Sequence, residues 1–172
     1  MPKQPEAYID FEVYENSTNY LGISSTVLPN INYIVQQITG AGISGNVDAV
    51  LIGMVDAMNT TLNFRSATDA AVSLLKPVKH TLDLRVAEQH WNTMNTERNV
   101  IADKYVMVCV PKNFAPGTVA PAALADTNME MSVTYYAGYR DGKKLWEIDP
   151  FNYICNIGGV DYMADVRKAL GK

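Results

Sequence analysis

The sequence predicts a mainly β, antiparallel fold with one short internal helix and one helix at the C-terminus. Three observations carry this. Apolar and polar residues alternate with period two over residues 9–13, 58–64, 81–86 and 129–135, the pattern of strands with one buried face. Asp141-Gly142 separates the last of these from the apolar run 145–148, and that dipeptide suits the positive φ angles of a tight hairpin turn. After residue 77 no strand–helix alternation recurs, so the chain lacks the repeated units of a parallel sheet.

Taken in order, residues 1–7 form a polar N-terminal arm. Ile9, Phe11 and Val13 then face inward from a first strand, and residues 16–19 turn. A short strand over 21–28 ends at Pro29. Residues 31–38 are uncharged and rich in β-branched side chains, hence strand. Residues 47–58 are ambiguous. Val47, Val50, Leu51, Met54, Val55 and Met58 recur at helical spacing, yet 47–52 is also a β-branched run, and Gly53 inside it weakens a helix by about 1 kcal/mol. Periodicity alone favours helix there.

Met58, Thr60, Leu62 and Phe64 face inward from the next strand. Ser66 or Thr68 caps a short helix over 69–75, stopped by Pro77. Leu82, Leu84 and Val86 point inward, with Asp83 and Arg85 outward. A turn spans 92–99, and the strand 100–110 ends in a run apolar enough to be covered on both faces. Residues 114–126, with Pro116, Pro121 and several alanines, form an exposed loop. After the Asp141-Gly142 hairpin, residues 153–157 make a last short strand. Asp161 caps a terminal helix with Met163, Val166 and Leu170 as its stripe and Gly171 at its end.

A length of 172 residues suits one domain, and 48% hydrophobic residues suffice for a core. The net charge of −4 argues against a nucleic-acid-binding module, which carries a basic patch, but not against a protein past which nucleic acid moves without sticking. No apolar run is long enough to span a membrane, and the N-terminus has no apolar leader, so synthesis in the cytoplasm is expected. Cys109 and Cys155 form no C-x-x-C pair and read as two free thiols in strands.

The sharpest chemical motif is Gly40-x-Gly42-x-x-Gly45. As strand, loop and helix it would cradle a pyrophosphate, with Arg65 suited to a 2′-phosphate, and the chain would be a small NADP-dependent oxidoreductase. As the tip of a long β-hairpin it is structural. Two other strands precede the fingerprint strand 31–38, and antiparallel strands follow the motif, against the dinucleotide fold. His80 and His90 are too few for a zinc site and read as surface or half-buried residues. No acid–base–nucleophile arrangement is visible, so no catalytic, cofactor or metal site is expected. Met54, Met58, Met129 and Met131 read as core.

The C-terminal region is more specific. Leu145-Trp146-Glu147-Ile148-Asp149-Pro150-Phe151-Asn152, then Ile157-Gly158-Gly159-Val160-Asp161, then the helix ending Ala169-Leu170-Gly171, resembles the major tail tube proteins of contractile-tailed phages and the tube proteins of R-type bacteriocins. In that family E-I-D-P-x-N is followed by I-N-G-V-D and a terminal helix. Tyr20-Leu21-Gly22, Leu28-Pro29 and the two arms around the glycines fit it as well. Gly158 stands where Asn is usual, and the N-terminal arm and the loop 114–126 are departures.

The resemblance implies an antiparallel β-sandwich or small barrel spanning 1–172, with a long protruding hairpin over 31–58 that makes residues 47–53 strand. It implies hexameric rings that stack into the hollow inner tube of a contractile tail, a conduit for DNA or ions. Implied partners are copies of the chain itself, the tail sheath protein, the tape-measure protein, and baseplate and tail-terminator proteins. DNA passes without specific binding. The site would be the virion tail or a phage-tail-like particle, assembled in the bacterial host cytoplasm. Gly40, Gly42, Ser44, Gly45 and Asn46 are then expected at subunit or ring contacts, and Gln36, Gln37 and Asp48 in the lumen. A tube of the related secretion-system kind, carrying effectors, is the other structural alternative.

Overall fold

The computed structural model describes residues 3–172; Met1 and Pro2, the start of the expected arm, lie outside the described residues. The main sheet is antiparallel. It runs from the short β12 (Val160–Asp161) through β11 (Ile154–Ile157), β10 (Lys143–Asp149), β9 (Thr127–Arg140), β8 (Glu97–Ala115), β7 (His80–Asn92) and β1 (Lys3–Glu15) to β2 (Asn19–Tyr20). A branch leaves β9. Its residues from Thr127 to Val133 pair with β6 (Met58–Phe64), which carries β3 (Ser25–Val27), while Tyr136 to Arg140 on the same edge pair with β10. Register shifts in β8–β9 at Val108/Cys109 and Pro111/Asn113 bend the long strands, as extra residues on one strand do, and fold the β6 branch over the rest. Leu62, Phe64 and Met58 thus meet Leu82, Leu84, Met107, Met129 and Met131 in one core.

The local chemistry explains each junction. The β9–β10 turn is the predicted Asp141-Gly142, with φ +47° and +77°, the left-handed pair of a two-residue hairpin. Helix α1 (Asp69–Leu74) is capped by Thr68, whose side chain accepts from Ala71 N–H at 3.2 Å. Helix α2 (Ala164–Ala169) follows β12.

Several expectations are corrected. Lys3 to Ala7 are not separate from the first strand but its continuation along β7. The strand expected over 21–28 is split into β2 and β3, with bends between. Asp161 lies in β12 rather than at the cap of α2; Met163 takes the cap position, and the Asp161 carboxylate accepts Met163 N–H at 3.0 Å from outside the helix. Leu170 is exposed and leaves the apolar stripe to Met163 and Val166. Residues 105–109 are buried on one face only, alternating with half-buried Val106 and Val108.

Both histidines are buried, at 4% and 5% exposure, not at the surface. They share parity with Leu82, Leu84 and Val86, so the alternation itself puts them inside. His80 Nδ1 lies 2.6 Å from Glu15 Oε1 and its Nε2 3.0 Å from Lys76 O. His90 stands with Glu88, Asp103 and Arg140 at the far end of the core. Arg140 donates to both Asp103 oxygens at 2.9 and 2.8 Å and to Glu88 Oε2 at 2.8 Å. Asp83, expected outward, is covered by Arg85 and Lys104, which reach its Oδ2 at 3.2 and 3.1 Å. Cys109 and Cys155 are both free and buried; burial pushes the Cys109 thiol up to about 12.

Candidate functional site

The hairpin stands apart from this body. β4 (Tyr33–Ile38) and β5 (Val47–Val55) form their own two-stranded sheet, with no ladder to the main one among the described residues. Asp56 N–H donates to Asn32 O at 2.8 Å and closes its base. From 31 to 47 the chain carries no charge.

Val35, Ile38, Val47, Val50, Ile52 and Met54 are all exposed, Ile52 at 67%. Met54 is therefore not core, unlike Met58, Met129 and Met131, which are buried. On β5 the half-buried Ala49, Leu51, Gly53 and Val55 alternate with exposed Asp48, Val50, Ile52 and Met54. One face leans on the body and the other is free. The period of two holds here, so the helical spacing of the sequence has no helix behind it.

Cross-strand register sorts the lumen candidates. Gln37 opposes Asp48 on the free face, whereas Gln36 opposes Ala49 on the body-side face. The three do not share one face. Gly40, Gly42, Ser44, Gly45 and Asn46 come together at the exposed tip. Ile43 N–H donates to Gly40 O at 3.1 Å there. Gly42 and Gly45 take φ +89° and +128°. A Cβ on any of the three glycines would meet open space, so none is required by packing within the subunit. No helix N-terminus follows the tip, since β5 is strand, and the phosphate-cradle reading loses the element that would hold the charge.

The base of the hairpin rests on the C-terminal segment, a contact that the sequence reading missed. Tyr33 lies against Cys155; burial first, and then the thiol, raise its phenol above the ordinary range. A groove of about 600 Å³ runs between Val50–Val55 and Pro150, Tyr153, Ile154, Met163 and Val166. Its signal in the sequence was Gly53, a glycine inside a strand, which marks close approach of a neighbour.

Comparison with known proteins bears on this geometry. The family model described as Phage tail tube protein FII matches residues 5–171. The curated tail tube protein of Escherichia phage P2 is 25% identical over 162 residues, covering 92% of this chain and 93% of that protein. Among solved structures, the sheath/tube terminator of the PVC extracellular contractile injection system, in the extended state, superposes with a TM-score of 0.58 at 12% identity. It covers 78% of this chain and 96% of its own. A chain of the sheath–tube complex of the same system gives 0.53 at 12% identity, covering 75% and 87%.

Proposed function

The chain belongs to the phage tail tube protein FII family, a family of phage-tail structural proteins, and on that premise we propose that its subunits close into hexameric rings that stack into the hollow inner tube of a contractile tail. The observation that carries this is the hairpin: an isolated ribbon with open edges, no charge over residues 31–47, and apolar side chains exposed along it. A two-stranded ribbon is marginal alone, and a ring of such ribbons joined edge to edge leaves no edge open. Covering six such side chains, each already about half buried, contributes on the order of 6 kcal/mol per subunit at about 1 kcal/mol each. That lies within the roughly 4–15 kcal/mol that association costs, and main-chain hydrogen bonds along the joined edges add to it.

In this arrangement the tip residues Gly40, Gly42, Ser44, Gly45 and Asn46 meet the next subunit or ring. Gln37 and Asp48 reach the lumen at the distal end of the free face, beyond Val35, Val50, Ile52 and Met54 of that same face, which the neighbouring subunit covers, and Gln36 turns toward the body. A lumen without cations lets DNA phosphates pass without capture in a phage tail; in a headless bacteriocin-like particle the same tube conducts ions. The sheath encases the tube, the tape-measure protein sets its length, and baseplate and terminator proteins close its ends. Assembly takes place in the bacterial host cytoplasm. The chain's role is mechanical rather than catalytic.

Electron microscopy and sedimentation of the purified protein test this. Rings about six subunits around, or tubes, are expected as concentration rises. Persistent monomers, even when the sheath and baseplate partners are co-expressed, would sink the proposal.

A further inference from the structure

The base of the β4–β5 ribbon is not a regular ladder. Tyr33 pairs with Val55 and Val35 with Val50, so four residues of β5, from Leu51 to Met54, stand opposite Ile34 alone. The distal pairs, from Val35↔Val50 to Ile38↔Val47, run in unbroken register. Gly53 lies in this bulge at φ +68°, and a Cβ there would overlap the Sδ and Cγ of Met163 and come within 3.4 Å of the Cys155 Cβ. Buried Met163 fills the notch that the missing side chain leaves.

Met163 is itself held in place. Its N–H donates to Asp161 Oδ1 at 3.0 Å, and Asp161 Oδ2 takes Arg167 Nη2 at 2.5 Å. The other guanidinium nitrogen donates to Tyr153 O. On both sides of the bulge there is open apolar space: the 600 Å³ groove beside Val166, and another of about 340 Å³ bounded by Tyr33, Ile157 and Tyr162. A regular ribbon joined to its body through an irregular bulge, with room on either side, bends at the bulge. A thioether seated in a glycine notch fixes the angle, and the flexible methionine side chain can leave without disturbing backbone.

We propose that residues 51–54 are a hinge and that Met163 is the latch that sets the hairpin's angle, so that seating of the C-terminal segment and presentation of the hairpin edge are coupled. The coupling takes its consequence from the assembly reading above; the hinge itself does not depend on it.

Deuterium exchange of the unassembled subunit, resolved by peptide, tests the latch. Met163→Ala is expected to speed exchange over 47–55 by about tenfold or more, with the β7 and β8 amides unchanged, because only a local opening becomes easier. Met163→Leu, of similar bulk, restores slow exchange. Gly53→Ala evicts the same side chain from the other partner, so it speeds the same peptides, and the double variant adds little to either single one. Unchanged exchange over 47–55 in Met163→Ala overturns the latch. So does acceleration shared with the main sheet, or wild-type amides at 47–55 that already exchange unprotected. Failure of the wild-type chain to form rings would overturn the assembly reading and leave this result standing, so the two are distinguishable.

Discussion

Gly42 holds φ +89° at a tip that touches nothing, which separates local strain from stability of the body. A valine there must adopt a left-handed conformation at a cost of about 1–2 kcal/mol, and only the tip bears it. Gly42→Val is therefore expected to leave the melting of the isolated subunit unchanged and to impair ring formation; equal loss of both, by circular dichroism and sedimentation, would refute an assembly role for the tip. A different residue pair contributes to the acid limit of the body. Hydrogen bonds from Arg140 hold the Asp103 carboxyl below the ordinary range, against the opposing effect of burial. A folded pKa below the unfolded one means a contribution that is complete above about pH 4 and lost as pH falls through the folded value. Removing one member of a buried pair costs about 3–5 kcal/mol, and Arg140→Met belongs at the low end because the guanidinium is 40% exposed. Urea unfolding should show that deficit at pH 7 and a smaller one at pH 3. A gap of equal size at both would mean that the ion pair is not its source.

The elements differ in how their edges are guarded. β1 is an open edge beyond its two-residue contact with β2, yet it carries Pro5, Glu6, Asp10 and Glu12 and two register shifts against β7. Proline, charge and bulges are what keep edges from pairing. The hairpin has neither proline nor charge between 31 and 47, and beyond the bulge at its base its register is unbroken. Val35→Asp and Val50→Asp place charge on its free face, where burial within the subunit is slight. They are expected to abolish assembly and raise solubility while changing unfolding by no more than about 0.5 kcal/mol; a large drop in subunit stability would show that this face is packed in the monomer. The same facts explain what the sequence shows and hides. β6 is legible residue for residue, and the β9–β10 turn from Asp141-Gly142, because one face of each strand is buried in the subunit and sets the pattern. β5 misleads because Val50, Ile52 and Met54 are apolar and uncovered, so hydrophobicity there does not report burial in the subunit. The inward Glu88, His90 and Asp103 were hidden because charge reads as surface, although their parity places them with the core. Gly53 marks that something approaches β5 closely, but its partner Met163 is invisible to local pattern, since the two positions are more than a hundred residues apart.

At the scale of the whole molecule, the body is a closed structural unit and the hairpin an appendage to it. The core joins residues of β1, β6, β7, β8, β9, β10 and α1, with half-buried Val55 at its margin the one contribution from the hairpin strands. The body's fold should therefore survive loss of the distal ribbon. Val35 and Val50 face each other across the two strands, so replacing residues 36–49 by Asn-Gly closes a short hairpin with a turn of the right length and φ signs. The bulge, Gly53 and its Met163 contact all remain. The shortened chain is expected to fold, to melt with the wild-type subunit, and to stay monomeric at concentrations where the full chain forms rings. Circular dichroism with size-exclusion chromatography gives both readouts at once. If the shortened chain unfolds, the ribbon belongs to the folding unit; if it folds and still assembles, the rings are held by other surfaces and the hairpin is not their seam.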